Sequence, residues 1–396
     1  MNELLVVLDL FIPFAIAGLL LINTGLARSR SAAHMMMTGL VAVGIAVMVY
    51  FACGAAIELD ESRALFLRGI SDTEMRGVWF GAFAASLAVV IPLGTGAERW
   101  RLGPACISTA LLAGLTIPLM AGWTWGGGWL AQLSTYGLGH GFVDCGGSGV
   151  IQATGGLTAL SLAWILGPRR GKFTPERMPL AMPGHHAVFV LFGCLLALPG
   201  WIGLNAAGAC VMPGADAAAK IGLNTTLAAA AASLTAAAIT RIRFGKPDAS
   251  LTANGWIGGL VASSAGCAFL APAAAVIIGA IAGALIVFSV EFLELRLGID
   301  DPGGSVSVHG IGGIWGLIAA GMLGSFPADQ WLAQMIGVAT LLGIIFPLTY
   351  GLNFLLNLIM RQRVAPEGER QGMDLHELGA GAYPDFLTHF DDTMQR

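Results

Sequence analysis

The residues of this chain best placed to do chemistry lie in two segments that match each other. Residues 144 to 156 read DCGGSGVIQATGG and residues 301 to 313 read DPGGSVSVHGIGG. Asp144, Gly146, Gly147, Ser148, Gly155 and Gly156 therefore have identical counterparts in Asp301, Gly303, Gly304, Ser305, Gly312 and Gly313. Eight residues after each acid a polar side chain interrupts an apolar run, Gln152 in one copy and His309 in the other. An imidazole takes up and releases protons near neutral pH, whereas a primary amide offers only a fixed donor and acceptor. The pair thus joins one titratable group to one that cannot titrate. Asp144 and Asp301 fit helix N-caps, where a carboxylate accepts from the first free N–H groups and complements the helix dipole. A direct role for Asp144 in binding a cation is the sharper alternative.

The elements that must position these groups follow from composition. The chain is 56% hydrophobic and 11% charged, with a mean hydropathy of +0.76, against about 25% charged residues in ordinary soluble domains. It reads as an all-α polytopic membrane protein. Apolar stretches of the roughly 17 to 25 residues needed to cross a bilayer fall at about 4–25, 35–57, 77–97, 104–121, 147–167, 186–206, 217–240, 251–269, 271–293, 305–323 and 333–360. Eleven transmembrane helices are expected, the last long enough to tilt. Basic residues stay on the cytoplasmic side. An N-out/C-in arrangement places all but Arg63, Arg68, Arg76 and Lys220 of the 20 there. The N-terminal MNELLVVLDLF carries Glu3 in place of a basic leader and reads as an uncleaved first span.

The matching segments open spans five and ten. An odd separation gives the two copies opposite sidedness, so the expectation is two inverted five-helix repeats, about 4–167 and 186–323, followed by the helix at about 333–360. Such repeats put a solute site near the bilayer midplane. Eight helical residues rise about 12 Å, which brings Gln152 and His309 from opposite faces toward the centre of a core about 30 Å thick. Polar side chains at that depth face a cavity or a partner. A transmembrane domain over 1–363 is followed by a polar, Gly-rich tail, 364–396, too short to fold as a domain.

Other chemistries find no support in the pattern. No nucleophile–base pair, phosphate loop or metal-ligand spacing stands at any span end, so neither an enzyme, a cofactor nor a metal site is expected. No basic patch points to nucleic acid; the lipid bilayer is the macroscopic partner. The six cysteines are scattered, and only Cys145, Cys210 and Cys267, near outer ends of spans, leave a disulfide open. His185 and His186 read as interfacial, His140 as a residue that an entering solute could touch, and His376 as too isolated for a metal.

Further motifs are specific. GLARSR at 25–30, AERWR at 97–101, WGGGWL at 125–130, GWIGLNA at 200–206, DDPGGSVSVHGIGG at 300–313 and GMDLHELGAGAY at 372–383 together resemble the ammonium transporter family of Amt, Mep and Rh proteins, over nearly the whole length. The resemblance implies a homotrimer in a bacterial inner membrane, each subunit with its own narrow hydrophobic pore for ammonium or ammonia. It implies a pore centre of two histidines, of which His309 is kept and the other falls on Gln152. It implies an outer cation site at Trp125, where the usual serine falls on Gly208 and Asp144 stands close by. The phenylalanine gate falls on Ala84 and Leu204, with Phe80 and Phe83 near, so a wider and less aromatic gate is expected. The family tail packs under neighbouring subunits and can meet a PII-type regulator; here its His-Gly-Glu stretch is replaced by Leu378, Gly379 and Ala380. Ammonium transport with an altered pore centre is the expectation. Passage of another small solute, such as a methylated amine, a neutral molecule or a gas, and an ammonium sensor without flux are the alternatives.

Overall fold

A computed structural model describes residues 2–209 and 218–383 of the chain. Hydrocarbon offers no partner to a backbone N–H or C=O, so each apolar stretch satisfies its own by becoming a helix. Among the described residues ten helices are long and apolar enough to cross a membrane: α1 Leu5–Leu26, α2 Ser29–Glu58, α3 Glu74–Gly96, α4 Leu102–Thr124, α5 Ser148–Leu166, α6 Ala187–Ala209, α7 Ala218–Phe244, α9 Pro272–Leu297, α10 Val306–Leu323 and α11 Gln330–Ile359. Between α7 and α9 lies α8, Ala249–Ser264, a shorter helix of 16 residues. Asp248 caps it, accepting from the Leu251 N–H at 2.8 Å. The apolar stretch expected to run to residue 269 leaves the helix at Ser264 and turns instead.

Small residues set how closely the helices approach. A Cβ added at Gly18 of α1 would lie 2.6 Å from the Gly193 carbonyl of α6, and one at Gly283 of α9 would lie 2.2 Å from the Ala232 carbonyl of α7. Without a hydrophobic force between helices in lipid, such close backbone contact supplies the dispersion that holds them.

The two matching segments are built alike. Each begins with a π-helical turn, Ser148–Ala153 in α5 and Val306–Ile311 in α10, a rare geometry that is frequent at functional sites. The Asp144 carboxylate accepts from the Gly149 and Val150 N–H groups at 2.9 and 2.8 Å, and Asp301 accepts from Val306 at 2.7 Å and from the Thr95 hydroxyl at 2.5 Å. Ser148 donates to the Val261 carbonyl on α8 at 2.7 Å, and Ser305 donates to the Ile91 carbonyl on α3 at 2.8 Å. Gly146 N–H likewise donates to Ser264, and Gly303 N–H to Gly94. Val261 and Ile91 stand 170 positions apart, as do Ser264 and Gly94, so α3 and α8 serve the two copies in one register.

The copies then cross each other through their double glycines. A Cβ at Gly156 would lie 2.1 Å from the Gly310 nitrogen, and one at Gly313 would lie 2.4 Å from the Ser148 carbonyl and 2.9 Å from the Ala153 nitrogen. Residue 156 meets 310 while its counterpart 313 meets 153, the counterpart of 310. This reciprocity is the mark of a local two-fold relation.

One end of the bundle is tied together by buried ion pairs. Arg169 bonds Glu98 at 2.6 Å and reaches Asp300 through its backbone N–H, Nε and Nη2 at 2.8, 2.9 and 3.0 Å. Arg99 donates to the backbone carbonyls of Gly167 and Asp300, both at 2.8 Å. Burial alone would raise the Asp300 carboxyl, but Arg99 and Arg169 outweigh it and bring it down to about 2. Buried charges persist only when partnered in this way, and the partners here tie the ends of α3, α5 and α10.

The tail docks at the same end, against its own chain. Asp374 accepts from the Ala33 and His34 N–H groups at 3.1 and 2.7 Å, and Glu377 meets His34 Nε2 and the Leu102 N–H, each at 2.8 Å. Glu369 accepts from the Arg170 N–H at 2.6 Å and from Arg363 at 2.8 Å. The remainder of the tail, 384–396, lies outside the described residues. Burial would raise the Glu377 carboxyl, yet His34, the Leu102 N–H and Arg101 hold it below the usual glutamate range. A depressed carboxyl stabilises docking above its pKa and loses that contribution as pH falls through it. Limited proteolysis of the tail is therefore expected to quicken several-fold in Glu377→Gln at neutral pH, and in the wild type on acidification; equal rates would remove this contact from the docking.

Candidate functional site

At the end of the bundle opposite the ion pairs, the start of α1 and α3 and the ends of α2, α4 and α6 enclose a cavity of about 350 Å³. Trp125, Phe80, Gly208, Tyr50, Glu58 and Arg76 line it. Trp125 stands at the end of α4, its indole Nε1 donating to the Asp144 backbone carbonyl at 2.7 Å. The Phe80 ring meets it edge to face, centroids 5.5 Å apart. Two aromatic walls, held by packing and a hydrogen bond, thus border a space with carboxylate-bearing residues on its rim. That arrangement suits a small cation, which a ring face attracts by about 0.5 to 2 kcal/mol.

Three of the residues singled out from sequence sit differently from a simple cation site. Asp144 is fully buried, and its carboxylate caps α5; it is the backbone carbonyl that serves Trp125. Gly208 is no vacancy left by a missing hydroxyl, because a Cβ there would lie 2.1 Å from the Cys145 carbonyl. Phe83 turns to Trp79, ring centroids 5.3 Å apart, while Phe80 joins Trp125. Ala84 and Leu204 are both buried.

At the crossing of α5 and α10, His309 and Gln152 meet. His309 Nδ1 and Gln152 Oε1 are 2.7 Å apart, with Gln152 fully buried and His309 5% exposed. An amide oxygen only accepts, so Nδ1 carries the hydrogen and Nε2 keeps its lone pair. Among the described residues Gln152 Nε2 has no hydrogen-bond partner. A buried amide with two unmet donors is costly unless something visits it.

Beyond the crossing, a second cavity of about 530 Å³ opens between the ends of α1, α7 and α9 and the starts of α8 and α10. Asp301, Gly304, Ser307, Asn254 and Glu291 are among its walls. Ser307 Oγ is buried and has no partner among the described residues. The two cavities belong to opposite ends of the bundle, and the Gln152–His309 pair lies on the helices that connect them.

The remaining histidines stand apart. His140 packs against Phe269 and Phe326 at 5.9 and 5.5 Å, His185 bonds the Ala27 carbonyl and Tyr383, and His186 stacks on Phe189. Among the described residues Cys145 and Cys267 are both buried and not joined in a disulfide, and Cys210 lies outside the described residues. Sequence reasoning missed Arg76 and its partner Asp9, which are 2.9 Å apart. The signal was present: an aspartate within the apolar run VVLDLF needs a partner.

The profile of the Ammonium Transporter Family matches residues 4–383. The chain belongs to this family. Ammonium transporter Amt2 of Archaeoglobus fulgidus is 35% identical over 407 aligned positions, covering 95% of this chain and 86% of that protein. A solved structure titled Sensor Amt Protein superposes with a TM-score of 0.86 at 26% identity, covering 94% of this chain and 96% of the other. Candida albicans Mep2 shares the fold, with a TM-score of 0.82 at 22% identity over 92% of this chain and 86% of its own. Family members are transporters and channels, not enzymes, and this one is a multi-pass membrane protein. Against the family pattern, Gly208 is a testable departure. Gly208→Ser is expected to destabilise the protein by the about 1–3 kcal/mol of an overpacked site, read as a lower thermal midpoint, without improving uptake. A variant as stable as the wild type, with a lower KM, would contradict the close contact at Cys145.

Proposed function

We propose that the chain moves ammonium as ammonia, through a pore running from the outer cavity past Gln152 and His309 to the inner one. The observation that carries this reading is the buried 2.7 Å contact between His309 Nδ1 and Gln152 Oε1, with Gln152 Nε2 left unpartnered. Ammonia has a lone pair to accept from the amide N–H and hydrogens to donate to His309 Nε2. The ammonium ion has no lone pair and cannot satisfy the amide. Leaving an ion unsolvated in hydrocarbon costs several kcal/mol or more, so the pore favours release of the proton before the centre. Trp125 and Phe80 form the outer cation site, and Ala84 and Leu204 occupy a gate with no aromatic ring of its own. Glutamine cannot relay a proton near neutral pH, so His309 alone handles any proton at the centre.

The same reading makes α1 to α11 eleven crossings, N-terminus outside and C-terminus in the cytoplasm of a bacterial inner membrane. The matched hydrogen bonds of α3 with α10 and of α8 with α5, and the reciprocal glycine contacts, support two inverted five-helix repeats. The position of the basic residues supports the orientation. By resemblance the assembly is a homotrimer, with the docked tail on the face open to a PII-type regulator.

Proteoliposomes are expected to show saturable uptake of labelled methylammonium, with ammonium as competitor. Gln152→Leu is expected to slow it roughly tenfold or more, since truncating one partner of a buried hydrogen bond leaves the other unsatisfied at about 1–3 kcal/mol. Gln152→His is expected to increase proton-coupled current relative to the native chain. Saturable uptake insensitive to ammonium would overturn the substrate, and identical currents in the native and Gln152→His proteins would overturn the role of Gln152.

A further inference from the structure

The outer cavity holds a charge that the proposed route does not use. Arg76, near the start of α3, is only 16% exposed, and its side chain is fixed at three points. Nε and Nη2 donate to the two carboxylate oxygens of Asp9 at 2.9 and 3.3 Å, and Nη2 also donates to the Ala207 carbonyl at 3.0 Å. Asp9 is fully buried, so the pair is anchored from inside α1. The guanidinium carbon lies 6.0 Å from the centre of the Phe80 ring. Phe80 is the ring that faces Trp125, and Arg76, Phe80, Trp125 and Gly208 share the walls of one cavity.

We propose that Arg76 is a specificity-determining residue of the outer mouth, a tethered cation that claims the Phe80 side of the site and leaves an arriving cation only the Trp125 side. This rests on the outer cavity being the cation site. Two consequences follow from charge and size. The guanidinium withdraws one of the two aromatic faces available to a solute, and it repels a second cation to the extent that Asp9 and the Glu58 and Glu74 carboxyls of the same cavity do not offset it. The site therefore binds ammonium loosely and discriminates against larger organic cations, which need both walls. Tethering also explains why the residue does not simply swing aside: a bidentate pair with a buried carboxylate is specific in geometry, and parting it would strand a buried charge.

The test separates charge from scaffolding. Asp9→Asn/Arg76→Gln removes both charges together, leaves the net charge unchanged and retains amide hydrogen bonding between the two positions. In proteoliposomes this double variant is expected to lower the KM for methylammonium about two- to fivefold, the range for the cation–π face that Phe80 regains in a partly aqueous mouth, with maximal rate little altered. Arg76→Lys, which keeps the charge, is expected to stay near the wild-type KM. On the unmodified protein, free guanidinium is expected not to compete with methylammonium uptake, and to compete in the double variant. An unchanged or raised KM in a folded double variant, or competitive inhibition of the wild type by guanidinium, would overturn the proposal. Loss of ammonium-competed uptake in the wild type itself would instead refute the transport reading on which it rests.

Discussion

The contact between Gln152 and His309 depends on two helices passing backbone against backbone. Gly156 and Gly313 have no room for a Cβ, because the Gly310 nitrogen and the Ser148 carbonyl stand where it would be. A side chain at either position would push α5 and α10 apart, and a contact of 2.7 Å between Gln152 and His309 does not survive such a shift. The double glycines of each copy are thus the condition for the polar pair, and the aspartates and serines before them fix the register in which the helices arrive. Serine hydroxyls and glycine N–H groups reach carbonyls of α3 and α8, which tie the crossing to the rest of the bundle.

Around this crossing the charge distribution is lopsided in a useful way. One end is tied together by Arg169, Glu98, Asp300 and Arg99, whose mutual bonds compensate the cost of burial, and Arg169 and Asp300 also border the inner cavity. The other end keeps an open aromatic cavity whose single tethered guanidinium is matched by Asp9. Between the two cavities lies the Gln152–His309 pair, and Ser307 stands with Asp301 and Glu291 on the wall of the inner one. A route that offers a cation aromatic faces outside and neutral acceptors inside favours the uncharged form of a weak base for the crossing itself.

Much of this was legible in the sequence because the signals were periodic or duplicated. Apolar length gave the helices, and the repeated DxGGS…GG segments gave the meeting of Gln152 with His309. What stayed hidden depended on contacts between distant positions. The apolar run at 251–269 did not reveal that α8 stops at Ser264, since the turn that follows is as apolar as the helix. Gly208 read as a lost hydroxyl, whereas the Cys145 carbonyl beside it excludes any side chain. Phe80 and Phe83, three residues apart on α3, could not be told apart until one ring met Trp125 and the other met Trp79. Tail docking against its own chain rests on single carboxylates, Asp374 and Glu377, which share a partner, His34, more than three hundred residues away.

The central claim is that Gln152 holds His309 as a neutral imidazole with its hydrogen on Nδ1, leaving Nε2 as an acceptor in the pore. Solid-state NMR of the protein in lipid, with nitrogen-15 in the histidines and His309 assigned by His309→Gln, reads that state directly. The account requires a protonated Nδ1 and a bare Nε2 for His309 at neutral pH. A hydrogen on Nε2 with Nδ1 bare, or an imidazolium, would contradict it.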